Sequence, residues 1–187
     1  MFEAIADLGA QMADALFHAH QNGVIHRDVK PANILMDLNG KPWLTDFGLA
    51  IVKDNPGETQ TGDVVGTLRY MSPEQASGRK FLIDHRTDSY SLGITLYELI
   101  SLRKPFTGTN ARDLIRQVTF DEPPSLRSIN RSIPEELEVI VSKAIAKNPI
   151  DRYATAGELA DDLRRFSEDR PILARRANLA VRLRRWV

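Results

Sequence analysis

Asp46 follows Asn33 by thirteen positions, and the stretch between them is short, apolar and broken by a turn. Ile34-Leu35-Met36 and Trp43-Leu44-Thr45 flank Asn39-Gly40, the pattern of two small strands closed as a hairpin. That hairpin joins two polar blocks, His26-Arg27-Asp28-Val29-Lys30-Pro31-Ala32-Asn33 and Asp46-Phe47-Gly48. Ahead of them Ile5, Leu8, Met12, Leu16 and Ala19 recur at helical spacing, which predicts an amphipathic helix over residues 3–21. Asn22-Gly23 tolerates the left-handed backbone that ends a helix, and Val24-Ile25 reads as a further short strand. Residues 50–70 form a polar loop long enough to serve a function, and from Asp88 onward the pattern is helical, over roughly 88–101, 110–119, 134–146 and 155–166. The expected fold is mainly α with small β elements, an α+β chain.

Composition narrows the class. The 187 residues suffice for one core, and 42% apolar with 27% charged content reads as globular rather than disordered. There is no cysteine, hence no disulfide and no thiolate metal site. No apolar run reaches bilayer length, and the first residues lack a signal peptide's pattern, so a cytoplasmic location is expected. The net charge of zero hides an asymmetry: residues 170–187 hold six arginines and no acidic residue. The other nineteen Lys and Arg face all twenty-five Asp and Glu, so residues 1–169 carry six excess negative charges. An acidic body with a basic tail argues against nucleic-acid binding.

The two blocks at this spacing, with Ser72-Pro73-Glu74 downstream, resemble the eukaryotic-like (Hanks-type) Ser/Thr protein kinases. The wording of Gly23-Val24-Ile25-His26-Arg27-Asp28, Tyr70-Met71-Ser72-Pro73-Glu74-Gln75 and Lys147-Asn148-Pro149-Ile150-Asp151-Arg152-Tyr153 is most similar to bacterial members. The resemblance covers about nine-tenths of the chain and implies the protein-kinase-like fold, C-lobe only. Residues 1–169 would be that lobe, and 170–187 a basic tail.

What the resemblance implies for chemistry follows. Phosphoryl transfer needs charges placed around a polyanion and a hydroxyl aimed in line. Asp28 would accept the proton of a Ser or Thr hydroxyl, and Lys30 would offset charge on the γ-phosphate of ATP. Asn33 and Asp46 would hold Mg²⁺, with Mn²⁺ as a substitute, through the oxygen donors that hard cations prefer. Leu35 is similar to the floor of the adenine pocket. His26 and Phe47, with Gly48 beside them, resemble structural members of the active-site stack. Asp88 would begin a buried helix and receive backbone hydrogen bonds from the His-Arg-Asp turn, alone or while also acting as an N-cap. Glu74 and Arg152 resemble a buried ion pair.

Regulation is implied by the same likeness. Arg27 would pair with a phosphate on the activation loop, and Thr59 and Thr61 sit where related kinases carry one. Thr67 matches a threonine that hydrogen-bonds near Asp28 and Lys30. No Gly-x-Gly and no lysine precede Lys30, so the N-terminal lobe that grips ATP is expected from elsewhere, in cis or in trans. This chain alone is then expected to be nearly inactive, and the uncovered inter-lobe surface to favour self-association. The alternative is a non-catalytic kinase-fragment binding module or a truncated gene product. In the tail Leu179, Leu183 and Trp186 share one helical face, which reads either as a solvated or packed helix or as a juxtamembrane segment on anionic lipid beside a membrane anchor.

Overall fold

The computed structural model describes residues 1–47, 66–78, 81 and 83–175. Helix α1 (Phe2–Gln21) buries Ala6, Ala10, Ala13 and Leu16 along one stripe, as its spacing requires. It stops at Asn22, and Gly23 follows with φ of 74°, a left-handed conformation that costs a glycine nothing. Val24-Ile25 departs from expectation. These two residues form no strand; the Val24 amide turns back to the Ala19 carbonyl at 3.0 Å, and no ladder partner lies opposite among the described residues.

Strands β1 (Ile34–Met36) and β2 (Pro42–Leu44) pair antiparallel, with Ile34 opposite Leu44, Leu35 opposite Trp43 and Met36 opposite Pro42. The hairpin is closed by Asp37, whose carboxylate accepts from the amides of Asn39 at 2.8 Å and Lys41 at 2.9 Å and from Trp43 Nε1 at 3.1 Å. Thr45 falls outside the strand because its amide bonds instead to the Asn33 carbonyl at 2.9 Å. That bond draws the two ends of the hairpin together.

Helices α2 (Pro73–Ala76), α3 (Arg86–Ser101), α4 (Ala111–Phe120), α5 (Leu126–Ile129), α6 (Glu135–Ala144) and α7 (Ala156–Ser167) make up the rest, with 3-10 turns at Pro31–Asn33 and Pro149–Asp151. The four long ones lie within two residues of the periodicity at every end. The short ones, α2 and α5, span four residues each and leave no period to read. Helical residues also replace the end of the expected 50–70 loop, at 66–68, while 50–65 lie outside the described residues.

Helix α3 is the centre. Residues Thr87 through Tyr97 are all buried, so α1, α6 and α7 enclose it on every side. Gly93 makes the closest crossing: a Cβ there would meet Ile145 Cγ2 at 2.7 Å and Ala144 Cβ at 2.8 Å. Gly93→Ala is expected to lower stability by about 1–3 kcal/mol through overpacking, read as a lower urea midpoint at unchanged slope. Among the described residues no helix is long and apolar enough to cross a membrane.

Candidate active site

The loop from His26 to Asn33 is suspended from α3 by Asp88. One carboxylate oxygen accepts the Arg27 amide and the other the His26 amide, each at 2.8 Å. His20 Nε2, at the end of α1, meets the same carboxylate at 2.7 Å. Asp88 is fully buried and lies in the first turn of α3, whose N-cap is His85. The N-cap reading of Asp88 therefore fails: its carboxylate points out of the helix to hold the loop. Arg27 adopts φ of 68° and Asp46 φ of 63°, both in the left-handed region that non-glycine residues rarely occupy. The two bonds to Asp88 hold the first of these in place.

Four side chains converge at the loop's open side. Lys30 Nζ donates to Asp28 Oδ2 at 2.8 Å and to Thr67 Oγ1 at 3.1 Å. Asn33 Nδ2 donates to the Asp28 carbonyl at 2.7 Å and to Asp28 Oδ2 at 3.1 Å. Thr67, distant in sequence, is thus brought against the loop. Asp28 and Lys30 are about four-fifths buried as side chains, 18% and 20% exposed, which strengthens their attraction while leaving them reachable.

Asp46 is exposed at the other end of the hairpin, tied to the cluster through Thr45, whose hydroxyl reaches the Asn33 carbonyl at 3.3 Å and Asp46 Oδ2 at 3.4 Å. Phe47 lies on His26 with ring centroids 4.5 Å apart and planes tilted by 52°. His26 is fixed in its tautomer: Nδ1 accepts the Asp28 amide at 3.2 Å and Nε2 donates to the Thr45 carbonyl at 2.8 Å. Leu35 is 55% exposed and stands with Met36, Leu38 and Trp43 among the exposed apolar side chains of the hairpin. Gly48, Thr59 and Thr61 lie outside the described residues.

Glu74 and Arg152 form a two-pronged buried pair, Nη1 to Oε1 at 2.7 Å and Nη2 to Oε2 at 2.8 Å. Only 3% of Glu74 and 4% of Arg152 is exposed. The arginine's remaining donors go to the carbonyls of Arg86, Ala146 and Lys147, and its guanidinium lies 4.8 Å from the Tyr90 ring centre. Burial by itself would raise the Glu74 carboxyl; the Arg152 guanidinium overrides it and holds that carboxyl below its ordinary value. Arg27 contrasts with Arg152: its Nε is buried and finds no hydrogen-bond partner among the described residues.

Two contributors were missed in the sequence. Gln75 donates through Nε2 to the Arg27 carbonyl at 2.9 Å and closes a capping box with Ser72. The Ser72-x-x-Gln75 spacing was a legible sign of that box. His20 had no such sign, since a histidine at a helix end reads as a dipole partner. No group of three His, Asp or Glu suited to a metal exists among the described residues; the expected donors, Asn33 and Asp46, are two.

Comparison with known proteins agrees with this geometry. Residues 3–163 match the protein kinase domain family. The serine/threonine-protein kinase PrkC of Bacillus subtilis (strain 168) is 42% identical over 161 residues, which cover 86% of this chain and 24% of that protein. PknB of Mycobacterium tuberculosis (strain ATCC 25618 / H37Rv), also a serine/threonine-protein kinase, is 42% identical over 171 residues, covering 90% of this chain and 26% of its own length. The crystal structure of the Mycobacterium tuberculosis PknI kinase domain superposes with a TM-score of 0.65 at 27% identity, over 88% of this chain and 55% of that one. The chain spans about a quarter of the length of the curated relatives it matches. Its fold is the mainly helical, protein-kinase-like one with two short strands, and the chain belongs to the protein kinase family, among the bacterial Hanks-type serine/threonine kinases.

Proposed function

We propose that this lobe, completed by an N-terminal lobe, transfers the γ-phosphate of ATP to Ser or Thr hydroxyls of proteins. The observation that carries the reading is the Asp28–Lys30–Asn33–Thr67 cluster, a carboxylate with a lysine 2.8 Å away at the mouth of a loop anchored from behind. Asp28 accepts the hydroxyl proton and aims the oxygen in line. Lys30 is placed to swing from Asp28 toward negative charge on the transferring phosphate. A binding lobe without catalysis has no need of that pair.

The donor set fits magnesium. Asn33 commits its amide nitrogen to Asp28, leaving Oδ1 as the atom it offers a cation, and exposed Asp46 supplies a carboxylate oxygen. Mg²⁺, or Mn²⁺ in its stead, neutralises phosphate charge when bound. Leu35 offers apolar contact to the adenine ring. His26, Phe47 and Asp88 keep the loop and the metal-binding segment in register.

The unpartnered Arg27 Nε supports a switch in which a phosphate on Thr59 or Thr61 pairs with Arg27. Residues 173–187 are read as the approach to an anionic membrane surface, with the lobe on its cytoplasmic side.

Lys30→Ala, made in the chain joined to an N-lobe, tests the reading. The expected result is a fall in kcat of about 10²–10³-fold with KM for ATP changed far less, because the lysine acts most on charge in transit. An unchanged kcat would remove Lys30 from the mechanism.

A further inference from the structure

Beyond the family match, which ends at Leu163, α7 continues to Ser167 and the chain then reverses. Asp169 makes the turn with φ of 52°, and the Arg170 amide bonds back to the Arg165 carbonyl at 2.7 Å. From there residues 170–174 run back along α7. Arg165 Nη1 reaches the Pro171 carbonyl at 3.3 Å, Ile172 packs on the core, and Ala174 is buried.

The return is held at one carboxylate. Asp162, 1% exposed, accepts the Leu173 amide on Oδ1 at 2.6 Å and the Ala174 amide on Oδ2 at 2.9 Å. The Tyr153 hydroxyl donates to Oδ2 at 3.0 Å. Burial first, and then the negative charge of Asp162, push the Tyr153 phenol well above its ordinary value, so it remains a donor at any working pH. Lys143 Nζ lies 4.1 Å from the same ring's centre. A buried aspartate with no cation on it among the described residues is costly unless several donors face it, and two of the three donors described here come from the returning segment.

We propose that residues 170–174 are a strap latched by Asp162, so that the folded lobe closes after Ala174 and not at 169. The strap fixes where the basic tail leaves: beside Tyr153, the neighbour of Arg152, which holds Glu74 at the end of the activation segment. A tail departing after Ser167 without the reversal would leave from the far end of α7 instead. The latch does not depend on phosphoryl transfer, so the two can fail separately.

Hydrogen exchange in the full chain decides it. The Leu173 and Ala174 amides are expected to be protected like the buried amides of α7, and in Asp162→Asn to exchange about tenfold faster or more while α1 is unaffected. A chain ending at Asp169 is expected to melt at lower temperature than one ending at Arg175, which keeps the test decisive if Asp162→Asn does not fold. Leu173 and Ala174 amides exchanging as fast as an unstructured peptide, or equal melting of the two shortened chains, would overturn the strap.

Discussion

Asp28→Asn, in the chain joined to an N-lobe, is expected to lower kcat for phosphate transfer by about 10²–10⁴-fold, the range that a positioned general base supplies. The effect is chemical. Asparagine keeps an oxygen for Lys30 and Asn33 but cannot take a proton, and it forfeits the negative charge that orients the hydroxyl. The loop itself hangs from Asp88 through backbone amides at 2.8 Å, which the substitution does not touch. Steady-state assays with labelled ATP should therefore give a lower kcat at nearly constant KM for ATP, with an unchanged thermal melt. A variant that lost kcat and folding together would show that Asp28 is chiefly a structural residue.

Glu74→Gln is expected to cost about 3–5 kcal/mol of folding stability, the cost of leaving one partner of a buried ion pair uncompensated. Against a total of about 5–15 kcal/mol for a domain this is a large share. The cost arises because Arg152 cannot leave: its other donors are spent on the carbonyls of Arg86, Ala146 and Lys147, deep between α2, α3 and α6. Urea denaturation at neutral pH reads the loss as a shifted midpoint. Acid carries the same signature. The folded-state carboxyl of Glu74 lies below its ordinary 4.5, so between the two values the unfolded chain binds the extra proton and stability rises with pH. Glu74 thus contributes fully above 4.5, and its share is lost as pH falls through the lower, folded value. Glu74→Gln should flatten that part of the acid transition. An acid profile identical to that of the parent chain would mean that other carboxylates govern it.

Much of this site was legible in sequence because its parts are local or carry fixed spacing. Asp28, Lys30 and Asn33 lie within six consecutive positions, and the Asn39-Gly40 hairpin returns the chain to Thr45 and Asp46. Long helices were legible wherever one face is polar, as in α1 and α7, since burial on one side imprints a period. Helix α3 was legible for another reason, its length without proline, since it is buried nearly all round over Thr87 to Tyr97 and shows no polar face. What could not be read was set by tertiary contact. Val24-Ile25 has strand composition but no strand to pair with among the described residues. Asp88 is read through resemblance as the acceptor for the His-Arg-Asp turn, and no local pattern marks it, since its carboxylate serves a loop more than sixty residues earlier. Asp162, eleven residues before Leu173, accepts the amides of Leu173 and Ala174, a contact that no local pattern marks.

The central claim is that this lobe contains the catalytic half of a kinase site and needs the other half. The most direct measurement is transfer of labelled γ-phosphate from Mg·ATP to a basic protein substrate, by the chain alone, by the chain joined to an N-lobe, and by the joined protein carrying Asp28→Asn. The account predicts label only in the second. Label from the chain alone that disappears with Asp28→Asn would contradict the need for a second lobe, and no label from the joined protein would contradict catalysis itself.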